Sequence, residues 1–340
     1  MNTKPRLSWE RFELKFHNPF RLSSGLSTKR TAHWIRLEND EGWGEGTIPP
    51  YYNIPDEELE AFWEEKSSSL IPFPDNPAGI SAWIGDEGPA PARAALDLAL
   101  HDRVGKMCGL PLYRVLNLPA PGMFLTAFTI AIADPGKMAQ MAHSHPEFPI
   151  IKLKLGSEDD ISRVAAVREA RPDIRIFVDA NAGWKPKEAV RTIKELEPFH
   201  LEMIEQPVRG EDIEGLGYVQ AHTDIPIVAD ESLTELKQLE ELSKAGVQGI
   251  NLKIMKLGGL GRTLEIAARA RQLGFKIMLG CMAETSLGVT AMAHLAALAD
   301  WFDLDSPLLI ANDPFEGIKY NQAEVSLPER PGIGVRLQKV

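Results

Sequence analysis

The chain has 340 residues, 44% of them hydrophobic and 25% charged, which suits a soluble globular protein with room for a barrel of roughly 200–250 residues and a smaller second domain. Its net charge of −11 argues against nucleic acid or an anionic membrane as partner, though not against a small anionic substrate held beside a metal and lysines. Two cysteines are too few for a disulfide framework, the N-terminal stretch holds no apolar signal core, and the small-residue run 289–299 is too short to span a bilayer, so a cytoplasmic protein is expected.

Residues 6–16 and 31–38 alternate in polarity as strands do, around a polar loop at 23–28; Asp40-Glu-Gly42 is a turn that leads into Trp43-Gly-Glu-Gly46. Residues 56–67 and 90–106 carry helical patterns, the second opening at Pro91 and stopping at Gly109-Leu-Pro111. Residues 1–120 thus read as an α+β domain. From 124 onward a strand–helix repeat sets in. Its strands are Phe124–Ile130, the stretch 149–156, Ile174–Asp179, Leu201–Glu205, Ile225–Asp230, Gly249–Lys253, Lys276–Gly280 and Trp301–Asp305, with helices such as 157–171, 185–196 and 261–273 between them. Eight such units make an α/β chain with a (β/α)8 barrel over 121–309. The tail, 310–340, leaves the repeat and is expected to fold back over the first domain.

A charged residue ends five successive strands at intervals of 23–26 residues: Lys154, Asp179, Glu205, Asp230 and Lys253. In such barrels the C-terminal strand ends carry the active site. Three carboxylates from consecutive strands repel one another unless a hard cation sits between them, and oxygen-only ligands favour Mg2+, with Mn2+ possible. The alternative is a set of acids paired only with lysines. Asn181, Gln206 and Glu231 stand beside the three acids and can support them. Lys152 and Lys154 share a face about 6–7 Å apart, where repulsion of roughly 3 kcal/mol lowers an ammonium pKa toward that of a general base. Lys253 lies four strands away, across the ring. Two lysines on opposite sides of a metal-held substrate suit removal of an α-proton from one face and its return on the other, through a metal-stabilised enediolate; the alternative is that Lys253 only neutralises the acids. Asp303 and Asp305 share a face of strand 8 and suit an ammonium group, or else form a solvated pair. Glu284 and Cys281 follow strand 7 and are placed at the mouth, Cys281 without metal-ligand spacing, and Thr129 ends strand 1 within reach of substrate.

With these residues in place, the chain resembles the enolase superfamily in its muconate-lactonising-enzyme subgroup. Lys152-Leu-Lys154, Val178-Asp-Ala-Asn181, Ile204-Glu-Gln-Pro207, Ala229-Asp-Glu-Ser232, Asn251-Leu-Lys-Ile-Met-Lys-Leu-Gly-Gly259 and the helix Ala94–Asp102 carry the resemblance. It implies an enolase-type barrel under an N-terminal capping domain, one Mg2+ per subunit on Asp179, Glu205 and Asp230, and Lys154 and Lys253 as the acid/base pair, with Lys152 tuning Lys154. A homo-oligomer is expected. Capping loops around 19–28 and 48–56 would choose the substrate. Asp303-Leu-Asp305 resembles the strand-8 motif of dipeptide epimerases, where the two acids hold the N-terminal ammonium of an L,L-dipeptide while its C-terminal residue is epimerised to L,D. Members acting on Ala-Glu carry an arginine in the first capping loop; here Gly25 takes that place, which argues against Ala-Glu specificity and leaves hydrophobic or cationic side chains, met by Tyr51, Tyr52 or Asp56. Alternatives on the same lysines and metal acids are an N-acylamino-acid racemase, an o-succinylbenzoate synthase or a muconate cycloisomerase, none of which has a free ammonium for Asp303 and Asp305. A non-enzymatic barrel would leave every one of these positions without a task.

Overall fold

The computed structural model describes residues 7–23 and 25–338. The chain opens with an antiparallel sheet of β1 (Leu7–Leu22), β2 (Gly25–Leu37) and β3 (Trp43–Gly46). The polar stretch 23–28 is therefore not a separate loop. β1 and β2 run on as one long hairpin, irregular between Lys15 and Phe20, that closes from Leu22 to Gly25. Ser24 lies outside the described residues, as do residues 1–6 and 339–340.

Helices α1 (Asp56–Ser67), α2 (Ala78–Ile84) and α3 (Ala90–Cys108) pack on one side of this sheet around a core that includes Ile35, Leu37, Trp63 and Leu96. The run Gly42-Trp-Gly-Glu-Gly46 explains how β3 approaches α3. A Cβ on Gly42, Gly44 or Gly46 would overlap the backbone carbonyls of Ala99, Ala95 and Pro91 in turn, each about one helical turn from the next. Alternate glycines let the strand lie directly on the helix backbone.

Eight parallel strands follow, hydrogen-bonded in chain order: Phe128–Ile130, Ile150–Lys154, Arg175–Asp179, Leu201–Glu205, Ile227–Ala229, Gly249–Leu252, Lys276–Gly280 and Trp301–Asp303. The Ala127 amide donates to Phe302 O at 3.0 Å and brings the eighth strand against the first. The expected first strand, Phe124–Ile130, is broken in two. Phe124–Leu125 pairs with Glu324–Ser326 of the tail, and only Phe128–Ile130 enters the barrel. The eighth strand likewise stops at Asp303, and Asp305 opens the short turn Ser306–Leu309. The tail reaches the first domain: Phe315 packs edge-on against Trp34 and Trp43, with ring centroids 5.2 and 5.5 Å away, and Ile310 bridges Phe16. Among the described residues no helix is long and apolar enough to cross a membrane.

Candidate active site

Alternation along the barrel strands builds the site in layers. Ala127, Ile150, Phe177, Met203, Val228, Met278 and Trp301 point inward and form one buried apolar cluster. Gly249 leaves room for the Trp301 ring, which a Cβ there would approach to 3.3 Å. Two residues further along, the same inward rows carry Thr129, Lys152, Asp179, Glu205, Asp230 and Asp303, all at most 5% exposed. The apolar layer closes the barrel floor and the polar layer rests on it.

The charges pair tightly. Lys154 Nζ donates to Asp179 Oδ2 at 2.6 Å. Lys152 Nζ lies 2.6 Å from Asp303 Oδ2, 2.7 Å from Glu205 Oε2 and 3.2 Å from Asp179 Oδ2. Across the mouth, Lys253 Nζ donates to Asp230 Oδ2 at 2.6 Å, and Lys256 Nζ holds Asp230 Oδ1 at 2.7 Å as well as the Asp230 carbonyl. Asn251 Nδ2 donates to Glu205 Oε1 at 2.8 Å. Burial alone would lower Lys152, but Asp303, Glu205 and Asp179 outweigh it and hold its ammonium well above the usual range. Lysine–lysine repulsion is thus not the dominant interaction at Lys152: the carboxylates around it decide its charge.

Among the described residues no three His, Cys, Asp or Glu side chains are gathered on one point, since each of the three acids is turned toward a lysine. The donor set nevertheless fits a hard cation. It is all carboxylate, on three neighbouring strands, with no nitrogen or sulfur ligand beside it. Burial and the charge of Asp179 push Glu205 up to about 7, which marks a place short of positive charge. Around the acids, the Asn181 amide donates to Asp179 Oδ1 at 2.9 Å and Gln206 Oε1 accepts from the amides of Asp230 and Ser232. Glu231 Oε1 accepts from Asn181 Nδ2 at 3.3 Å, and burial followed by the charges of Asp230 and Asp179 pushes it up to about 8.

A cleft of about 620 Å3 opens over this layer, lined by Lys154, Lys253, Thr129, Asp303, Asp305 and Cys281 from the barrel and by the hairpin and Tyr51 from above. Thr129 ties the strand-8 acids together, its amide donating to Asp305 Oδ2 at 2.6 Å and its hydroxyl to Asp303 Oδ1 at 3.1 Å. Both acids are buried, and burial followed by the charge of Asp303 pushes Asp305 up to about 7. Cys281 Sγ lies 3.3 Å from the Asp303 carbonyl.

The structure places other expected residues elsewhere. Gly25 is exposed at the hairpin end and does not line the cleft. Tyr52 lines a second cleft with Glu231, whereas Tyr51 lines both and so takes the position over the first. Asp56 lies on the outer side with Arg11 and His33. Glu284 turns away from the mouth: Oε1 accepts from its own turn at the Met282 amide, while Met282 and Ala283 line the cleft instead. Asn251, Lys256 and Arg30 are among the site residues not singled out from the sequence. Asn251 and Lys256 lie inside a quoted motif, and only their contacts reveal them; Arg30 is legible from the alternation Arg30-x-Ala32-x-Trp34.

The enolase C-terminal domain-like family matches residues 136–339. An L-Ala-D/L-Glu epimerase of Bacteroides thetaiotaomicron is 33% identical, with 98% of this chain and 88% of the relative covered. The substrate-liganded L-Ala-D/L-Glu epimerase of Bacillus subtilis superposes with a TM-score of 0.92 at 31% identity, covering 99% of this chain and all of that one. The dipeptide epimerase of Enterococcus faecalis V583, solved with Mg and L-Leu-L-Tyr, gives a TM-score of 0.91 at 32% identity, covering 98% of this chain and 99% of that one. With the eight-stranded barrel and the lysine and carboxylate rows that the motifs predicted, the chain belongs to the enolase superfamily, in the muconate-lactonising subgroup that contains the dipeptide epimerases.

Proposed function

We propose that the protein is a Mg2+-dependent dipeptide epimerase, an isomerase that converts L,L-dipeptides to L,D-dipeptides by 1,1-proton transfer at the C-terminal α-carbon and is not confined to Ala-Glu. The observation that carries this reading is the placement of Lys154 and Lys253 on opposite sides of one cleft, with three buried carboxylates between them and Asp303 and Asp305 at its edge. Asp179, Glu205 and Asp230 are the residues that would hold Mg2+. Bound there, Mg2+ supplies positive charge to the substrate carboxylate and to the negative charge that grows on it as the α-proton leaves.

The chain's own groups do the rest. One of Lys154 and Lys253 accepts the α-proton on one face, and the other delivers a proton to the opposite face, which inverts the carbon. Lys152, fully buried, bridges Glu205 and Asp303 and so ties the metal-side acids to the ammonium-side acid. Asp303 and Asp305, set side by side by Thr129, accept the substrate's terminal ammonium. The hairpin and Tyr51 cover the cleft and exclude water. A cytoplasmic, homo-oligomeric enzyme is part of the same reading.

The direct test is loss of the C-terminal α-proton signal of a dipeptide in D2O, with and without Mg2+. Exchange that stops on chelation and returns with Mg2+ supports the assignment; metal-independent exchange, or none, overturns it.

A further inference from the structure

The second cleft holds groups that the proposed reaction leaves unused. It is the larger of the two, about 1280 Å3, and it meets the substrate cleft at Tyr51, which lines both. Three of its lining residues bring buried polar atoms that have no hydrogen-bond partner among the described residues: Tyr52 Oη, Asn181 Oδ1 and Glu231 Oε2. Two of these only accept hydrogen bonds when Glu231 is ionised, and the hydroxyl can accept as well. Buried acceptors left without donors are costly, so three along one cleft mark a place for something that brings positive charge or protons. The same side chains also reach the acids. Asn181 Nδ2 donates to Glu231 Oε1 at 3.3 Å, the Asn181 amide holds Asp179 Oδ1 at 2.9 Å, and Glu231 directly follows Asp230. The two clefts differ in charge. In the substrate cleft, Asp179 and Asp230 are met by ammonium groups, Lys154 Nζ and Lys253 Nζ, each at 2.6 Å. Among the described residues that line the second cleft the one cation is Arg209, which is exposed and paired with the exposed Glu211 at 2.5 Å.

We propose that the second cleft is a separate entry for the metal: Glu231, Asn181 and Tyr52 form an outer station that receives a hydrated divalent cation from solvent and passes it to Asp179, Glu205 and Asp230, while the dipeptide enters by the first cleft. This rests on the Mg2+ assignment given under Proposed function. Mg2+ parts reluctantly with its water, so a station of acceptors that holds the ion through its hydration shell suits it better than a tight cage. Six waters at about 30 Å3 each take up roughly 180 Å3, well within the cleft. A cation coming through the first cleft meets the ammonium groups of Lys154 and Lys253 in front of the carboxylates; through the second it meets acceptors first. With separate routes, a dipeptide lying in the first cleft does not stand in the way of metal uptake.

The test is the rate at which the full chain, stripped of metal, takes up Mn2+ in stopped flow with a metal-sensitive dye, together with the rate of release into excess chelator. Arg209→Glu and Glu211→Lys reverse charges on exposed side chains of the second cleft. Arg209→Glu should speed uptake and Glu211→Lys should slow it, each by about three- to tenfold at low ionic strength, and both effects should shrink as salt is added. Arg30→Gln, which removes a cation from the substrate cleft, should leave uptake unchanged. Glu231→Gln should slow uptake by roughly tenfold or more; a Glu231 that only supports Asp230 would instead speed release and leave uptake alone. Uptake that ignores the charges at Arg209 and Glu211, or that follows Arg30→Gln instead, overturns the inference, as does a Glu231→Gln changed only in release; each leaves the epimerase reading intact. A wild type that takes up no Mn2+ overturns the metal assignment and the inference with it. Uptake that shifts as described, in an enzyme inert toward every dipeptide, supports the entry route and overturns the epimerase reading alone.

Discussion

At the scale of single residues, the site is a network of lysines and acids in which Lys152 meets three carboxylates and Asp179 and Asp230 each meet two lysines. Lys154→Ala and Lys253→Ala should each lower α-proton exchange by about 10²–10⁴-fold, while Mg2+ binding measured by calorimetry stays within a few-fold; loss of metal binding instead would make them structural counter-ions. Lys256 has a different task. It is buried, holds both Asp230 Oδ1 and the Asp230 carbonyl, and so fixes this acid from the side opposite Lys253. Lys256→Met should weaken Mg2+ binding by about 10–100-fold, as loss of a group that orients a ligand does; unchanged affinity would show that Lys253 alone positions Asp230. Lys154, Asp179, Glu205, Asp230 and Lys253 were legible because each sits at a strand end, at a repeat interval, with a charge that packing does not explain, and Lys152 because it shares a strand face with Lys154. Lys256 was not, since one lysine in the turn Ile254–Leu257 looks like a solvated residue until its neighbours are known. Tyr51 and Tyr52 could not be separated either, as adjacent residues in a single 3-10 turn (Pro50–Tyr52) of which Tyr51 lines both clefts and Tyr52 the second.

At the scale of elements, period and turn chemistry placed the barrel strands and helices to within a few residues. The helix read over 185–196 is Pro186–Leu196, and that over 261–273 is Leu260–Gln272. The two misreadings have physical causes. The hairpin β1–β2 is longer than its alternation suggested because Gly25 and Ser27, which pair with Leu22 and Phe20, interrupt the apolar alternation that would announce a strand. The stretch 124–130 looked like one strand because both halves are apolar, yet Phe124–Leu125 finds its partner in the tail about 200 residues later, and a pairing so distant leaves no local signal. The β3–α3 contact yields a prediction of its own. Gly44→Ala would drive a Cβ into the Ala95 carbonyl, so the strand must lift from the helix at a cost of about 1–3 kcal/mol. Urea unfolding should show a lower midpoint with little change in slope; an unchanged midpoint would mean that the strand shifts freely.

At the scale of the whole molecule, buried polar groups join the barrel to the parts around it. Glu45 of β3 is fully buried and accepts from the Thr285 hydroxyl and the Gly288 amide of the barrel, and burial followed by the charge of Glu284 pushes it up to about 8. His294 joins barrel and tail. Its Nδ1 accepts from the Tyr113 amide at 3.3 Å, and its Nε2 donates to Ile333 O at 3.0 Å. This fixes the neutral ring, and burial lowers its pKa from 6.5 to about 4. Between those values the unfolded chain binds the extra proton and the folded one does not. The contribution of His294 to stability is therefore complete above about pH 6.5 and falls as pH drops toward 4, by up to roughly 3 kcal/mol, against the buried acids such as Glu45, whose raised pKa acts in the opposite direction. Thermal unfolding from pH 7 to 4 should show the wild type losing more stability than His294→Gln over this range; an equal slope in the variant would place the acid sensitivity elsewhere.

The central claim is that the cleft epimerises free dipeptides rather than N-acylated amino acids. The most direct measurement is 1H NMR in D2O with Mg2+, offering L,L-dipeptides and N-succinyl-L-amino acids to the same enzyme. The account predicts loss of the C-terminal α-proton and growth of L,D-diastereomer signals on dipeptides, much slower exchange on the N-succinyl compounds, and loss of the dipeptide preference in Asp303→Asn. Rapid exchange on N-succinyl amino acids with none on any dipeptide would contradict it, and would leave Asp303 and Asp305 without an ammonium to hold.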